Sequence, residues 1–195
     1  MKYDIYLVGV GGQGLLTIAD IITAAAAQRG IPVNFYPTKG MAQRGGFVKA
    51  QVRLGREQVG PQIPEKGADL AIAMELSEAL KAVRYIKPGG EFLLFKHVWQ
   101  PTAVMLGKAP YPSLAQLDDQ VENAGATLHV IDPAALPDHN DRSLPANIVV
   151  LGAAVGRTQL GTLLEPESLA ELVAGRWKRN VEANKLAFQA GLDSA

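Results

Sequence analysis

The stretch YDIYLVGVGGQG, residues 3–14, indicates the fold class. Its first six residues form a short apolar run that is typical of a buried strand in an α/β sheet, and glycines follow it directly. Between Gln13 and Arg29 apolar residues recur at steps of three and four, which predicts a helix that Gly30 terminates. Residues 31–36 then form a second strand, which completes a βαβ unit.

The third strand is predicted at residues 47–54, where apolar and mostly polar side chains alternate. Roughly nine residues separate it from the second strand, whereas a parallel crossover usually needs a dozen or more. We therefore expect this strand to run antiparallel to its neighbours and to lie near an edge of the sheet.

The remaining pattern extends the same α/β architecture. It predicts strands at residues 69–74, 91–95 and 127–131, and helices at residues 76–83, 114–125, 145–155 and 167–189. The KPGG sequence at residues 87–90 should end the first of these helices, and residues 97–112 should be irregular. We expect a single domain over residues 1–195: a mostly parallel, Rossmann-like three-layer core (1–143) and a C-terminal helical appendage (144–195), whose last helix is amphipathic.

Composition excludes several classes of function. Lysine and arginine number 19, as do aspartate and glutamate, so no net field favours nucleic acid or an anionic membrane surface. The sequence has no cysteine, which excludes disulfides, thiolate nucleophiles and iron–sulfur clusters held by thiolates of this chain. The apolar stretches are shorter than the roughly 20 residues of a membrane span, so a cytoplasmic location without membrane or nucleic-acid partners is expected.

The first glycine loop, GVGGQG, has the Gly-x-Gly-x-x-Gly spacing at Gly9, Gly11 and Gly14. Between a strand and a helix, such glycines allow a tight turn in which helix-end amides point at an anion or a dinucleotide. The same spacing can simply let the helix pack closely on the sheet. Both interpretations stay open from the sequence alone.

The second glycine loop, GMAQRGG at residues 40–46, follows the second strand. Both loops should therefore lie at the carboxyl edge of the sheet, where open α/β sheets place their functional surfaces. Arg44 could bind a carboxylate or phosphate, or pair with a neighbouring acid such as Asp20 or Glu75. A nicotinamide site would require an acidic residue near the end of strand two, but residues 34–39 contain none, which disfavours a dinucleotide cofactor.

Groups able to catalyse a reaction are scarce. His97, His129 and His139 lie in different segments without metal-ligand spacing, and no nucleophile elbow or phosphate-binding lysine motif occurs. Glu75, at the end of a buried strand, is the carboxylate of interest, and compensation of a helix N-terminus is its favoured role. No catalytic residue or metal site is assigned to this chain.

The two loops together resemble the gamma-type subunits of 2-oxoacid:ferredoxin oxidoreductases. The similarity covers GVGGQGLLTIADIITAAAAQRGIPV and GMAQRGGFVKAQVRLG, and it continues through ADLAIAME, KPGGEFLLF, NIVVLGAAVG and EANKLAFQAG. Within that family GMAQRGG is most similar to the beta subunits of indolepyruvate ferredoxin oxidoreductases, in which a serine typically stands where this chain has Ala42.

The resemblance implies an accessory subunit of an enzyme that decarboxylates indolepyruvate or a related 2-oxoacid oxidatively, with coenzyme A as co-substrate and ferredoxin as electron acceptor. Thiamine diphosphate, Mg and [4Fe-4S] clusters would then be bound by partner subunits, and the isolated chain would be inactive. It also implies that the glycine-loop edge is a subunit-interface or ligand-contact site, formed by Gly9, Gly11, Gly12, Gln13, Gly14, Gly40, Gln43, Arg44, Gly45 and Gly46. A free-standing dinucleotide-binding protein and a scaffold whose loops only pack are the alternatives.

Overall fold

A six-stranded sheet organises the computed structural model, which describes residues 1–39 and 46–194. Its strands are β1 (Tyr3–Val10), β2 (Val33–Lys39), β3 (Phe47–Leu54), β4 (Ala68–Ala73), β5 (Ile86–Phe95) and β6 (Thr127–Ile131). They are arranged in the order β2-β3-β1-β4-β5-β6. Strands β1, β4, β5 and β6 are parallel, whereas β3 is antiparallel to both β1 and β2. The predicted antiparallel strand is therefore confirmed, and it lies one strand inside the edge.

Helices cover both faces of the sheet. Their bounds are α1 (Leu15–Gln28), α2 (Leu76–Ala82), α3 (Thr102–Met105), α4 (Leu114–Asn123), α5 (Ala146–Arg157), α6 (Leu160–Leu164), α7 (Pro166–Arg176) and α8 (Val181–Asp193). A small hairpin of β7 (Asp138–His139) and β8 (Arg142–Ser143) precedes α5. None of the helices in the described ranges is both long enough and apolar enough to cross a membrane.

The core has two halves because successive side chains of a strand point to opposite faces of the sheet. Ile5 and Leu7 of β1 pack in a cluster with apolar residues of α1, α5, α7 and α8. Tyr6 and Val8 belong to a second cluster, which contains residues of α2 and α4. The structure thus confirms the three-layer α/β arrangement, with the C-terminal helices on the side of α1.

The second half of the polar face of β3, at Gln51 and Arg53, is buried, although the alternating sequence predicts only that the other face is apolar. Arg53 is 8 % exposed and forms a bidentate ion pair with Asp4, whose oxygens lie 3.1 Å and 2.9 Å from its nitrogens. The Gln51 side chain accepts a hydrogen bond from the Ile63 amide at 2.5 Å. Arg53 also donates to carbonyl oxygens of the connection between β3 and β4, so this connection covers the second half of the face and satisfies its polar groups.

The prediction that KPGG separates a helix from the following strand is wrong. Helix α2 ends at Ala82, a 3-10 turn follows at Val83–Tyr85, and β5 begins at Ile86, so that KPGG lies inside the strand. Gly89 has a φ of +75° and donates its amide to the Gly125 carbonyl oxygen at 2.7 Å. A residue with positive φ bends the start of β5, which explains the irregular register there.

The amphipathic helix predicted at residues 167–189 is two helices, α7 and α8, separated by residues 177–180. Asn180 adopts a left-handed conformation with a φ of +58°, which interrupts the helical path. Helix α8 packs closely on α5, since a Cβ at Gly152 would overlap the carbonyl oxygen of Phe188. The docking expected of the last helix therefore occurs against α5, which is buried throughout residues 148–155, as its sequence predicts.

Candidate functional site

The first glycine loop connects β1 to α1 at the carboxyl edge of the sheet. Within it, the Gln13 side chain folds back: its Oε1 accepts a hydrogen bond from the Val10 amide at 2.9 Å, and its Nε2 donates to the Met74 carbonyl oxygen at 2.8 Å. Met74 directly follows β4, so Gln13 ties together the ends of two parallel strands. This side chain therefore fixes the shape of the loop.

Two of the glycines are explained by neighbouring protein atoms. A Cβ at Gly9 would lie 2.7 Å from Gln13 Oε1 and 3.0 Å from Met74 Cβ. Gly14 has a φ of +75°, and a Cβ there would lie 2.6 Å from Nδ2 of Asn147, which belongs to α5. At these positions the packing interpretation of the glycine spacing accounts for the absence of a side chain.

Gly12 is different, because it is exposed and a Cβ there would meet no atom within 4 Å. Its φ of +102° lies in a region that side-chain-bearing residues rarely adopt. At Gly12 the loop therefore exposes backbone that no side chain covers, and a molecule binding at this edge can contact it directly.

The second glycine loop lies mostly outside the described residues. This applies to Gly40, Gln43, Arg44 and Gly45, and also to the pairing of Arg44 with Asp20 or Glu75 that the sequence left open. The described end of the loop is Gly46, whose carbonyl oxygen accepts a hydrogen bond from the Gly11 amide at 2.8 Å. The first glycine loop therefore meets the described end of the second loop at the carboxyl edge of β1.

The strand order bears on the dinucleotide interpretation. In dinucleotide-binding folds the second strand lies directly beside the first, so that an acid at its end reaches the ribose of a ligand bound at the glycine loop. Here β3 separates β1 from β2. The end of β2 is thereby displaced by about 9–10 Å, which is twice the spacing of neighbouring strands. This arrangement and the missing carboxylate both disfavour such a cofactor.

Glu75, next to Met74, is fully buried. Its Oε2 accepts hydrogen bonds from Ser77 Oγ at 2.6 Å and from the Glu78 amide at 2.8 Å, and it caps the N-terminus of α2. Its Oε1 accepts from the Trp99 amide at 3.3 Å and from the Tyr111 hydroxyl. Burial and the neighbouring carboxylate raise the pKa of Tyr111 above its ordinary value. The helix-terminal role predicted for Glu75 is confirmed. Through its hydrogen bonds with Trp99 and Tyr111 the residue also anchors the segment that follows β5.

The three histidines lie on different parts of the fold: His97 follows β5, His129 is in β6 and His139 is in β7. His129 of β6 is half-buried, and its Nε2 lies 3.6 Å from Glu91 Oε1. Burial, reinforced by the charge of Arg157, lowers the pKa of His129, so that its neutral form is favoured. Within residues 1–39 and 46–194, no three His, Asp or Glu side chains converge as ligands of a metal ion would.

Comparison with known proteins identifies the family. The sequence model described as "Pyruvate ferredoxin/flavodoxin oxidoreductase" matches residues 4–194. The chain belongs to this family. The indolepyruvate oxidoreductase subunit IorB of Thermococcus kodakarensis is 33 % identical over 196 residues, which cover 100 % of this chain and 96 % of that protein. The subunit of the same name from Methanothermobacter thermautotrophicus is 34 % identical, with 100 % and 98 % covered.

Solved structures show the same pyruvate ferredoxin/flavodoxin oxidoreductase fold. The gamma subunit of a keto/oxoacid ferredoxin oxidoreductase from Geobacter sulfurreducens superposes with a TM-score of 0.69 at 24 % identity, over 99 % of this chain and 98 % of that one. A 2-oxoglutarate:ferredoxin oxidoreductase from Magnetococcus marinus superposes with a TM-score of 0.60 at 22 % identity. There the match covers 100 % of this chain but 31 % of the other, so the fold occurs within a much longer polypeptide.

In this member of the pyruvate ferredoxin/flavodoxin oxidoreductase family, the structure brings the first loop and Gly46 together at one edge. Sequence reasoning missed Asn147 and Tyr111, which contact Gly14 and Glu75 respectively. Asn147 is the second residue of α5, a helix that the sequence predicts, but nothing local indicates that this helix reaches the glycine loop. Tyr111 lies 36 residues from Glu75 in sequence, so no periodic pattern could connect them.

Proposed function

We propose that this chain is the accessory subunit of an indolepyruvate-type 2-oxoacid:ferredoxin oxidoreductase. The observation that carries the proposal is full-length similarity, at 33 % and 34 % identity, to two indolepyruvate oxidoreductase subunits. In the proposed reaction the carboxylate of a 2-oxoacid leaves as carbon dioxide, the acyl group is transferred to coenzyme A, and the electrons pass to ferredoxin. Indolepyruvate or a related 2-oxoacid is the substrate.

The proposal assigns the cofactors to partner subunits. The chain has no cysteine and hence no thiolate for a [4Fe-4S] cluster, and its described residues offer no grouped metal ligands for Mg. Thiamine diphosphate is likewise assigned to a partner subunit, which we call the thiamine-bearing subunit. Ferredoxin and this subunit are the proposed partners, and the assembly is proposed to be cytoplasmic.

We propose that this chain contacts its partner or ligand through the carboxyl edge of its sheet. The hydrogen bond between Gly11 and Gly46 joins the first glycine loop to the described end of the second, and Gly12 exposes backbone there. Bare backbone permits close approach of a partner chain or of coenzyme A, and Arg44 would supply the charge that binds a carboxylate or phosphate. We propose that this edge, carried by a single domain, faces the thiamine-bearing subunit.

Reconstitution tests the proposal. The chain is co-produced with the thiamine-bearing subunit encoded beside it, and indolepyruvate-dependent reduction of a viologen dye or of ferredoxin is measured. We expect a stable complex whose activity is lost when this chain is omitted. Activity that does not depend on the chain contradicts the proposed function, and micromolar binding of NAD(H), NADP(H) or FAD by the isolated chain would support the dinucleotide alternative.

Substitution of Arg44 tests the proposed edge. We expect Arg44→Ala to leave the fold intact and to lower complex formation or turnover. Arg84→Ala is the matched control, because Arg84 follows α2 just before β5, at the opposite edge of the sheet, and its side chain is 64 % exposed. Equal activity of Arg44→Ala and the wild type would favour loops that only pack.

A further inference from the structure

The segment between β5 and α4 carries four exposed large apolar side chains within residues 98–106. Val98 is 52 % exposed, Trp99 45 %, Met105 65 % and Leu106 62 %. Clustered exposed apolar residues are uncommon on monomeric proteins and mark interaction sites, and aromatic residues and Met are enriched at protein interfaces. We propose that this patch, defined by these four residues, is the docking surface for the thiamine-bearing subunit, an inference that rests on the proposed function.

The patch is held in a fixed shape. Residues 101–108 form a helical turn, in which the Met105 amide donates to the Pro101 carbonyl oxygen at 3.1 Å and the Leu106 amide to that of Thr102 at 3.0 Å. Trp99 is attached through its backbone amide to the buried carboxylate of Glu75. A preorganised surface loses less conformational entropy on binding, which favours association.

A buried carboxylate strengthens this anchor. Glu75 is removed from water, so its charge is stabilised only by the donors around it, and two of these come from the segment itself, the Trp99 amide and the Tyr111 hydroxyl. The Leu76 amide adds a hydrogen bond to the His97 carbonyl oxygen at 3.3 Å. Displacement of the segment would remove hydrogen-bond donors from the buried Glu75 carboxylate. Because this is unfavourable, the backbone that carries the apolar side chains is held in place.

The patch belongs to the same edge of the sheet as the glycine loops. Strand β5 is parallel to β4, which is parallel to β1, so the segment departs from the carboxyl edge. Gln13 of the first loop donates to Met74, the residue before Glu75, and this connects the loop to the anchor of the patch. One partner covering this edge would contact both features.

These observations favour another part of the same enzyme as the partner that binds the patch. Residues 97–112 contain no Asp or Glu, and Lys108 is their only lysine or arginine, so the patch suits a largely apolar protein surface. In the Magnetococcus marinus enzyme the matched fold occupies 31 % of one chain, so the rest of that chain is attached to this fold. In a separate subunit the corresponding neighbour must be bound non-covalently. The core of such an interface is depleted of charged residues and enriched in aromatic residues and Met, as this patch is.

Assembly of variants with the thiamine-bearing subunit tests this inference. The dissociation constant of the co-produced complex is measured by sedimentation velocity over a dilution series for the wild type, Trp99→Ala and the double variant Met105→Ser/Leu106→Ser. We expect each variant to raise the dissociation constant at least about tenfold, as expected for exposed apolar anchors at an interface. Trp99→Ala retains the backbone amide bound by Glu75, and circular dichroism melting verifies folding of each variant.

Leu186→Ser is the matched control, since Leu186 is a large apolar residue of α8 that is 46 % exposed, and it should change the dissociation constant less than twofold. If the dissociation constants of both patch variants lie within twofold of the wild-type value, the docking surface is overturned and the proposed function is not. A wild-type chain that does not bind the thiamine-bearing subunit overturns the proposed function together with it. An isolated chain that is dimeric, and that Trp99→Ala renders monomeric, shows that the patch binds a second copy and overturns the inference.

Discussion

The side chain of Gln13 donates a hydrogen bond from Nε2 to the carbonyl oxygen of Met74 at 2.8 Å. These residues are 61 positions apart, and their contact joins the first glycine loop to the end of β4. The second Gln13 hydrogen bond, from the Val10 amide, closes the loop on itself at 2.9 Å. A residue that the sequence offers as a ligand contact therefore has an internal structural role.

Removal of this side chain should destabilise the fold. We expect Gln13→Ala to lower the free energy of unfolding by about 1–3 kcal/mol, because the Val10 amide and the Met74 carbonyl lose their partners in a poorly solvated site. Urea unfolding followed by circular dichroism measures the change. Gln28→Ala, at the exposed end of α1, is the control and should stay within about 0.5 kcal/mol of the wild type. Equal stability of the two variants would contradict the structural role.

The close packing of α5 and α8 makes a second prediction. Gly152→Ala places a methyl group against the Phe188 carbonyl oxygen, so the helices must separate, and we expect a loss of about 3 kcal/mol. Gly175 in α7 is exposed, and a Cβ there would meet no atom within 4 Å, so Gly175→Ala should stabilise the chain by up to about 1 kcal/mol. Thermal and urea unfolding distinguish the two, and similar melting temperatures would contradict this packing.

Local patterns explain how much of the fold could be predicted. The alternation and spacing of residues 3–54 indicate β1, α1, β2 and β3, and the short connection before β3 gives its antiparallel direction. The break between α7 and α8 could not be found this way. Leu169, Val173, Trp177 and Val181 continue one helical stripe across it, and neither Gly nor Pro marks residues 177–180. Helical periodicity persists in the sequence where the backbone does not follow it.

The candidate site was predictable only in its location. Glycine loops after strands one and two are expected at the carboxyl edge, and the hydrogen bond between Gly11 and Gly46 places the described end of the second loop beside the first. The contacts of Gly14 with Asn147 depend instead on how α5 crosses the sheet, a tertiary relationship without a local signal. The same is true of Glu75, whose donors come from three separate parts of the chain.

The buried carboxylate of Glu75 provides a third prediction. Glu75→Gln replaces one acceptor oxygen with a donor that faces other donors, so we expect a loss of about 2–4 kcal/mol. Tyr111→Phe removes only one hydrogen bond, to a charged acceptor, and should cost about 1–3 kcal/mol. Glu65→Gln is the exposed control, since the Glu65 side chain is 66 % exposed. A Glu75→Gln variant as stable as this control would show that Glu75 is not an anchor.

The protonation of His129 makes the last prediction, a pH dependence of stability. Burial and the charge of Arg157 lower the pKa of His129 in the folded state from its ordinary value of 6.5, so the unfolded state binds the proton more readily. The contribution of His129 to stability is therefore fully present above about pH 6.5 and declines as the pH falls below that value, until it passes the folded pKa. The slope from this single group cannot exceed about 1.4 kcal/mol per pH unit. Urea unfolding between pH 7.5 and pH 5 should show a decline that is smaller in His129→Gln and retained in His97→Gln; identical pH profiles for the wild type and His129→Gln would contradict the assignment.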